Sequence, residues 1–487
     1  MKSKFNYNAI LFLIMFSFLS NFTSCTKKND PIVDNNLPPK TEPSITLTAD
    51  FSVNNGIGHP YVFGEGGAPM DAVIATKMAS QGFTLKRTGC DINWLFGDPQ
   101  KITLADYKND VNGIRTNPAK VWISNSNELI NYGSKGVKFI ATIGYVPTWL
   151  SFNPTSVNGV PKDWNVYEEL VQKLYLKYKT YNCVEYIEIW NEPTGEFLDL
   201  TGSPYTSRLT AYKDIYYHTA KAIRAVDTTI PLGGPTAGDS KAWCIAWADS
   251  MLSDQRIAKD VNFLSYHLYD KGAGSDPSDI ANWKAVATKY SKPDMPIFIT
   301  EWNYSWDLGI IPMNNESPDA ISFVGKRLTD FYVNHLFGAN IFSMFQYSST
   351  NKWRQDMTGI FENGTFMPKV RTFYLMSKVL SLGKGNSALK QTTWTVGQNI
   401  TNAGSAITID NQKVVWMTND TRKTDSVSMV VKGLNPLTQY SASVWEASVL
   451  NNAQSERQSI KFSADKTGKG GFKFAVASKS VTGFIIK

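Results

Sequence analysis

Short apolar runs alternate with longer amphipathic stretches from about residue 61 to about residue 383 of this chain. This alternation is typical of a parallel sheet whose strands are joined by crossover helices. The candidate strands are residues 61–64, 83–88, 137–143, 184–190, 230–233, 261–266, 296–300 and 339–345. Helices are predicted between them over residues 166–178, 210–226, 242–252, 279–290 and 320–335.

Eight strand and helix units predict an α/β fold, a closed (β/α)8 barrel, because the strands are too apolar to be wetted on either face. An open, doubly wound sheet is the alternative. That fold would need a phosphate-binding glycine fingerprint early in the chain. The early run Gly64-Glu65-Gly66-Gly67 has the wrong spacing, and Glu65 would repel a phosphate, so the closed barrel is favoured.

After about residue 385 the pattern changes to short alternating segments rich in Thr, Ser and Val, which predict antiparallel strands of a small β-sandwich. These segments are residues 391–396, 406–409, 413–417, 426–431, 440–446 and 481–486. Residues 44–51 also alternate and could add a strand that ties the two ends of the chain together. We therefore expect a barrel over 44–385 with a leading strand, and a sandwich over 386–487.

The chain begins with a basic start and an apolar run that predict a signal peptide over residues 1–24. The run is shorter than the roughly 20 residues needed to span a bilayer. Cys25 stands where a bacterial lipoprotein is cleaved and acylated, although Phe22 replaces the usual aliphatic residue, and residues 25–43 read as a flexible tether. We expect an exported, lipid-anchored protein at the periplasmic or cell surface; the alternative is a secretory signal cleaved nearby.

Composition narrows the function classes further. The 487 residues are 42% hydrophobic, enough for a large core, and the formal charge of +7 is scattered, which argues against nucleic-acid binding. Cys90, Cys183 and Cys244 lack zinc spacing and are expected to be buried free thiols. The four histidines are dispersed, so we expect no metal and no cofactor.

The strongest chemical signal is the run Ile187-Glu188-Ile189-Trp190-Asn191-Glu192-Pro193, in which the fourth candidate strand leads into an Asn-Glu-Pro turn. Side chains at the carboxyl ends of barrel strands line active sites, so Glu192 is a catalytic candidate. A solvent-exposed glutamate in a turn is the alternative. Glu301 follows the seventh candidate strand in the same way. Two such glutamates can face each other across the barrel mouth, as glycoside hydrolysis requires.

These residues resemble the clan A glycoside hydrolases, and further motifs narrow the resemblance to family 39, whose members include β-xylosidases. The further motifs are Gly144-Tyr145-Val146-Pro147-Thr148-Trp149, Gly233-Gly234-Pro235-Thr236, Ser265-Tyr266-His267-Leu268-Tyr269, Thr300-Glu301-Trp302-Asn303 and Met367-Pro368-Lys369. The resemblance covers about residues 64–383, and it implies a barrel with an accessory β-sandwich. The eighth candidate strand lacks the tryptophan often found there, which leaves the sugar open.

The resemblance implies a role for several residues. Glu192 would be the acid/base and Glu301 the nucleophile of a retaining enzyme, while Asn191 would donate to the sugar 2-hydroxyl and Arg87 would orient Glu301. His267 and Tyr269 would approach the nucleophile or the sugar, with a buried core histidine as the alternative for His267. Trp149 and Trp302 are candidate platforms for sugar rings, although core packing is the ordinary role of tryptophan.

In a retaining enzyme the two carboxyl groups stand about 5 to 5.5 Å apart, and we expect ionised Glu301 to raise the pKa of Glu192. The resulting hypothesis is an exo-acting, β-xylosidase-like enzyme that degrades oligosaccharides or polysaccharides. Two alternatives stay open. One is an endo-acting clan A glycanase similar to family 5, and the other is a lipid-anchored glycan-binding protein without catalysis.

Overall fold

Eight parallel strands close into a barrel, and a separate nine-stranded sheet follows it. The computed structural model describes residues 45–67, 72–92, 95, 102–269, 276–304, 318–342, 361–362, 365–366, 368–395 and 400–487. The predicted signal peptide, Cys25 and the tether lie outside these residues, as do residues 343–345 of the eighth predicted strand. Within the described residues, no helix is long and apolar enough to cross a membrane.

The barrel strands are joined in sequence order, and the last pairs with the first, so the barrel has no open edge. They are β2 (Gly64–Gly66), β3 (Leu85–Asp91), β4 (Lys138–Gly144), β5 (Val184–Ile189), β6 (Leu232–Ala237), β7 (Phe263–Tyr269), β8 (Ile297–Asn303) and β9 (Gly338–Phe342). The (β/α)8 barrel predicted from the hydrophobic pattern is thereby confirmed.

The helices between the strands cover the outside of the barrel. They are α1 (Ala72–Ser80), α2 (Leu104–Lys108), α3 (Ser126–Gly133), α4 (Trp164–Lys179), α5 (Arg208–Arg224), α6 (Ala242–Ser253), α7 (Asp276–Lys289), α8 (Pro318–Val333) and α9 (Pro368–Leu380). Helix α4 begins where Asp163 accepts hydrogen bonds from the backbone amides of Asn165 and Val166. These bonds satisfy two amides that the first turn of a helix leaves unpaired.

The predicted helices lie within a few residues of the observed ones, and the first strand shows the largest displacement. The apolar run 61–64 is mostly a 3₁₀ turn, Pro60–Val62, and the strand follows it at Gly64–Gly66. Those three residues carry no apolar pattern. Gly64 is required because a Cβ there would lie 2.4 Å from the Asn340 side-chain oxygen on the paired strand β9.

Side chains alternate between the inside and the outside of the barrel wall. Near the strand starts the interior is filled by an apolar layer of Leu85, Ile140, Phe263 and Phe298, against which Tyr186 packs. Two residues further along the same five strands stand Arg87, Thr142, Glu188, Ser265 and Thr300. A polar layer therefore lies directly above the apolar one, towards the carboxyl ends of the strands.

The C-terminal sheet has nine strands in the order β17-β16-β19-β14-β13-β12-β1-β15-β18. Their bounds are β1 (Ile45–Gly58), β12 (Ser387–Trp394), β13 (Ile400–Ile407), β14 (Lys413–Asn419), β15 (Asp425–Lys432), β16 (Gln439–Ala447), β17 (Gln458–Ser463), β18 (Gly470–Val476) and β19 (Ser480–Ile486). A short hairpin, β10 (Phe361–Glu362) and β11 (Thr365–Phe366), precedes α9. Sequence analysis missed β17, which is polar, and β18, which begins with two glycines.

The C-terminal sheet folds over its own apolar core. Phe472 and Phe474 of β18 contact Phe484 of β19, although these strands are six places apart in the sheet. Strand β1 pairs with both β12 and β15, so the first described segment belongs to this sheet rather than to the barrel wall. The fold is thus a barrel followed by a curled, mostly antiparallel sheet.

The barrel and the C-terminal sheet are packed together through α8 and α9. The Trp416 indole donates to the Thr329 hydroxyl at 3.1 Å and packs edge-on against Tyr332. The Asn402 side-chain amide donates to Asp330 at 3.0 Å. These contacts lie on the outer helices, so the sheet packs against the side of the barrel.

Candidate active site

The side chains singled out by the sequence come together at the carboxyl ends of the barrel strands. Arg87 extends from β3, and His267 and Tyr269 stand at the end of β7, whereas Glu192 follows β5 and Glu301 lies on β8. Catalytic groups of (β/α)8 enzymes occupy this end of the barrel. Four strands that are distant in sequence therefore contribute to one polar cluster.

The turn after β5 holds Glu192 in a strained backbone conformation. Trp190 and Glu192 have positive φ angles of 68° and 43°, which non-glycine residues adopt uncommonly. The conformation of Glu192 is further disfavoured because Pro193 follows it. The Glu192 amide donates to the Thr236 carbonyl at 3.1 Å, which ties this turn to β6. Such strain is characteristic of functional sites and keeps the carboxylate directed into the barrel mouth.

The loop after β6 passes directly beside Glu192. A Cβ at Gly238 would lie 3.4 Å from the Glu192 carboxyl carbon, so any side chain there would crowd the carboxylate. The Gly238 amide donates to the Thr194 hydroxyl at 3.2 Å, which connects this loop to the turn after β5. Sequence analysis did not single out Gly238, because nothing in its local pattern indicates which residue it approaches.

The two glutamates face each other with His267 between them. One carboxylate oxygen of Glu192, one of Glu301 and a ring nitrogen of His267 all lie within 4.8 Å of one another. His267 Nδ1 is 2.6 Å from Glu192 Oε1 and 3.6 Å from Glu301 Oε2. The carboxylates remain partly open, at 22% and 14% exposure, whereas His267 is fully buried. His267 is therefore a buried histidine, yet it contacts both acids.

Both oxygens of Glu301 accept hydrogen bonds from strong donors. Arg87 Nη1 donates to Oε1 at 2.5 Å, and the Tyr269 hydroxyl donates to Oε2 at 2.5 Å. Burial, and then the neighbouring Glu301 charge, raise the pKa of Tyr269 well above its ordinary value, so the phenol keeps its proton. A cation and a neutral donor together fix the plane of the Glu301 carboxylate.

Asn191 is oriented by the same arginine. Arg87 Nη2 donates to Asn191 Oδ1 at 2.8 Å, and the Asn191 amide nitrogen lies 3.3 Å from the Tyr145 hydroxyl. Because the guanidinium carries donors alone, it must face the amide oxygen, and the amide NH2 group is turned away from it. This orientation leaves Asn191 as a hydrogen-bond donor at the barrel mouth.

The pKa of Glu192 lies below its ordinary value, whereas the sequence predicted a raised pKa. Burial raises this pKa, but the hydrogen bond and charge of His267, with a smaller contribution from Arg87, outweigh burial and lower it. The prediction of a raised pKa was wrong because it considered the like charge of Glu301 and left out the histidine 2.6 Å away. Arg87 in turn offsets the charge of Glu301.

The two candidate tryptophan platforms have different environments. Trp302 is fully buried and packs edge-on against Phe331 of α8 at 5.4 Å, which is the core packing that is the ordinary role of tryptophan. Its side chain points outward from β8, opposite to Glu301. Trp149, after β4, is half-buried and stacks on Tyr107 at 5.8 Å. Cys183 and Cys244 are buried free thiols, as predicted.

One charged residue of the cluster, Glu188, was not indicated by the sequence motifs. This residue is fully buried inside the barrel, and its Oε2 accepts hydrogen bonds from Arg87 Nε at 2.7 Å and from the Thr142 hydroxyl at 3.1 Å. A signal was present in the strand itself, since Glu188 is a charged residue between the apolar Ile187 and Ile189. That pattern indicates burial but not the partner.

Among the described residues, one group could offer metal ligands, and it is the trio of Glu192, His267 and Glu301. Its closest atoms already share hydrogen bonds with one another, with Arg87 or with Tyr269. The guanidinium beside Glu301 would repel a cation. The geometry is therefore better suited to proton transfer and nucleophilic attack than to metal coordination.

Comparison with known proteins supports the resemblance predicted from the motifs. The family model described as glycosyl hydrolases family 39 matches residues 151–359, which contain Glu192 and Glu301. A curated relative, a beta-xylosidase from Geobacillus stearothermophilus, is 25% identical over 194 residues, 35% of this chain. The matched region spans 36% of that relative's length. The predicted similarity to family 39 is confirmed, and the match supports a glycosidase.

Solved structures extend the similarity to the whole fold. A glucosidase from Croceicoccus marinus is 14% identical with a TM-score of 0.65, covering 91% of this chain and 98% of that one. A family 30 subfamily 8 xylanase from Clostridium acetobutylicum is 16% identical with a TM-score of 0.62, covering 91% and 99%. At these identities the likeness shows the shared fold, a barrel with an accessory sheet.

Proposed function

We propose that this protein is a retaining glycoside hydrolase that cleaves O-glycosidic bonds by double displacement. The observation that carries the proposal is the pair of carboxylate oxygens, one from Glu192 and one from Glu301, within 4.8 Å of each other. Retaining enzymes hold their carboxyl groups about 5 to 5.5 Å apart, whereas inverting enzymes leave about 6.5 to 9.5 Å for a water molecule. A closest approach within 4.8 Å between single oxygens is compatible with the retaining separation, and we propose direct attack by a carboxylate.

In the first step Glu301 attacks the anomeric carbon while the bond from that carbon to the leaving oxygen breaks. Arg87 and Tyr269 hold the Glu301 carboxylate in a fixed plane, which suits it for the nucleophile. Glu192 gives a proton to the leaving oxygen, so the aglycone departs as an alcohol. The product of this step is an ester between the sugar and Glu301.

In the second step Glu192 accepts a proton from water, and the oxygen of that water attacks the anomeric carbon. The ester bond breaks, and Glu301 leaves as the carboxylate that Arg87 and Tyr269 stabilise. Glu192 regains the proton that it gave away, so one residue serves both half-reactions. Two displacements at the same carbon restore the original anomeric configuration.

The proton for the first step is held jointly by Glu192 and His267. Glu192 Oε1 and His267 Nδ1 lie 2.6 Å apart, so one proton bridges the two groups. Glu192 Oε2 has no hydrogen-bond partner among the described residues, so it is available to the leaving oxygen. The pair therefore delivers its proton through Glu192.

We further propose an exo-acting β-glycosidase of the β-xylosidase type, supported by the family match and by the name of the curated relative. A screen of nitrophenyl glycosides, xyloside first, tests this directly. Rapid cleavage of aryl glycosides with little release from polymeric xylan, mannan or glucan is expected. The reverse preference would establish the endo-acting alternative, because an open cleft accepts the middle of a chain.

A glycan-binding protein without catalysis is the second candidate, and the Glu192→Gln variant separates it from an enzyme. An enzyme loses hydrolysis in this variant and retains oligosaccharide binding. If the unmodified protein binds oligosaccharide equally well and neither form hydrolyses any glycoside, the catalytic proposal fails. Isothermal titration with xylo-oligosaccharides and product analysis on the same samples give both results.

We also propose that the protein is exported and anchored to a membrane through lipid on Cys25. The sequence around this cysteine supports the proposal. A Cys25→Ser variant expressed in a bacterial host is expected to lose labelling by radioactive palmitate and to leave the membrane fraction. Equal membrane retention of both forms would contradict a lipid anchor.

A further inference from the structure

We infer that Glu188 is a positioning residue of the proposed glycosidase site and acts on Glu301 and Asn191 through Arg87. This inference rests on the proposed function. Glu188 lies on β5, one layer below the strained turn that carries Glu192, and it is fully buried. It cannot touch a substrate at the barrel mouth, so any effect on the reaction must pass through its neighbours.

Arg87 divides its donors among three acceptors. Nε donates to Glu188 at 2.7 Å, whereas Nη1 donates to Glu301 and Nη2 donates to Asn191. A guanidinium is planar and rigid, so a contact that fixes Nε also fixes the directions in which the two terminal nitrogens point. Glu188 therefore sets the orientation from which Arg87 reaches the nucleophile and the sugar-facing amide.

The surroundings of Glu188 favour its ionised form. Burial raises its pKa, but the charge of Arg87 outweighs burial and keeps the pKa below its ordinary value, with His267 and the hydroxyls of Ser265 and Thr300 contributing. The negative charge of Glu188 also offsets part of the positive charge of Arg87. The nucleophile consequently shares one cation with a second carboxylate, which leaves Glu301 less strongly held and more able to attack.

Two substitutions of Glu188 separate the effect of its side-chain length from the effect of its charge. Glu188→Gln keeps an oxygen acceptor for Arg87 Nε but removes the negative charge, whereas Glu188→Asp keeps the charge but is one methylene shorter.

The titratable and charged groups that face the contact of Arg87 with Glu301 come from two strands. They are Glu188 and Glu192 from β5 and its turn, and His267 and Tyr269 from β7.

For Glu188→Gln we expect kcat to fall about tenfold to a hundredfold, because Arg87 is no longer shared with a second carboxylate and holds the nucleophile too strongly. KM should change less than about threefold. The acidic limb of the profile of kcat/KM against pH should move to lower pH, since the substitution removes a negative charge from beside Arg87. For Glu188→Asp we expect a similar loss in kcat with the acidic limb near its original position.

The matched control is Glu65→Gln, which removes a buried carboxylate from the other face of the barrel wall. Glu65 contacts Lys86 rather than Arg87. This variant should keep kcat within about twofold and the pH profile unchanged, whatever its Tm. In an Arg87→Lys background, Glu188→Gln should cause little further loss if the two residues act as a unit.

An active wild type whose Glu188→Gln and Glu188→Asp variants share its kcat and pH profile would overturn the inference and assign Glu188 a purely structural role. If one variant fails to fold, the other still decides between the two. Absence of hydrolysis by the wild type on all glycosides tested would instead count against the proposed function.

Discussion

Lys86 and Arg87 are neighbours on β3, yet their side chains enter two buried charge clusters on opposite faces of the barrel wall. The outer cluster joins Lys86 to Glu65 at 2.7 Å and to Glu128 of α3 at 3.0 Å. The inner cluster joins Arg87 to Glu188 at 2.7 Å and to Glu301 at 2.5 Å. Each consists of one cation between two carboxylates.

The two clusters differ in their access to solvent. In the outer cluster the exposed side-chain fraction is 1% for Lys86, 1% for Glu65 and 8% for Glu128, because α3 covers the wall. In the inner cluster Glu301 keeps 14% exposure at the open end of the barrel. Similar charges therefore stabilise the fold on one face and are available for chemistry on the other.

The largest difference between the clusters should follow removal of one carboxylate from each. Glu301→Ala should lower kcat by roughly 10⁴-fold or more, because no other group can form the sugar ester. Glu65→Ala should leave the kcat of the folded protein within about twofold. Initial rates on the best nitrophenyl glycoside, scaled to folded protein by circular dichroism, measure both. A comparable loss in the two variants would break the distinction.

Substitution of the inner cation should lower activity, whereas substitution of the outer cation should lower stability. Arg87→Lys should lower kcat about a hundredfold, because an ammonium cannot serve three acceptors in fixed directions. Lys86→Met should lower the free energy of unfolding by about 3–5 kcal/mol, because two buried carboxylates lose their partner. Denaturant unfolding and steady-state kinetics on both variants test this. Loss of stability in Arg87→Lys alone, with normal turnover, would contradict the assignment.

The sequence predicted the barrel and the two glutamates because both leave strong local patterns. Eight apolar runs alternate with amphipathic ones, and Glu192 and Glu301 each follow such a run directly. The faces of β3 could not be predicted in the same way. The run Leu85-Lys86-Arg87-Thr88 contains two cations in succession, so hydrophobic alternation does not identify which of them points inward.

Contacts between strands that are far apart in the sequence could not be predicted from it either. The outward orientation of Trp302 depends on the packing of β8 against α8, and the lowered pKa of Glu192 depends on His267, which is 75 residues away. Trp302 was predicted to be functional because it is next to Glu301 in the sequence. Neighbouring residues on a regular strand, however, face opposite sides of the sheet. On β8 a register shift after Ile299 interrupts this alternation, so Thr300 and Glu301 both face the barrel interior and Trp302 packs against α8.

A smaller effect should come from the histidine that borders both acids. His267→Phe removes a group that stabilises ionised Glu192, so the pKa of Glu192 should rise and its protonated form should persist to higher pH. The alkaline limb of kcat/KM against pH should therefore move to higher pH. The Glu65→Gln profile, from the outer cluster, should coincide with that of the wild type. A shift of the His267→Phe limb to lower pH would contradict this account.

The smallest effect on activity is expected from the two tryptophans, which extend the comparison of inner and outer faces. Trp149→Ala should raise KM about fivefold with kcat little changed, if its ring borders the sugar. Trp302→Ala should lower the free energy of unfolding by about 3–5 kcal/mol and leave KM unchanged. Kinetics and denaturant unfolding of both variants decide. An unchanged KM in Trp149→Ala would remove this residue from the substrate site.

The central claim is that Glu192 and Glu301 act on one glycosidic bond as acid/base and nucleophile. Proton NMR of the sugar released in the first minutes of hydrolysis, before mutarotation, tests it most directly. We predict that the first-formed product of a β-glycoside has the β configuration. Initial release of the α-anomer would show a single displacement by water and contradict the proposed role of Glu301.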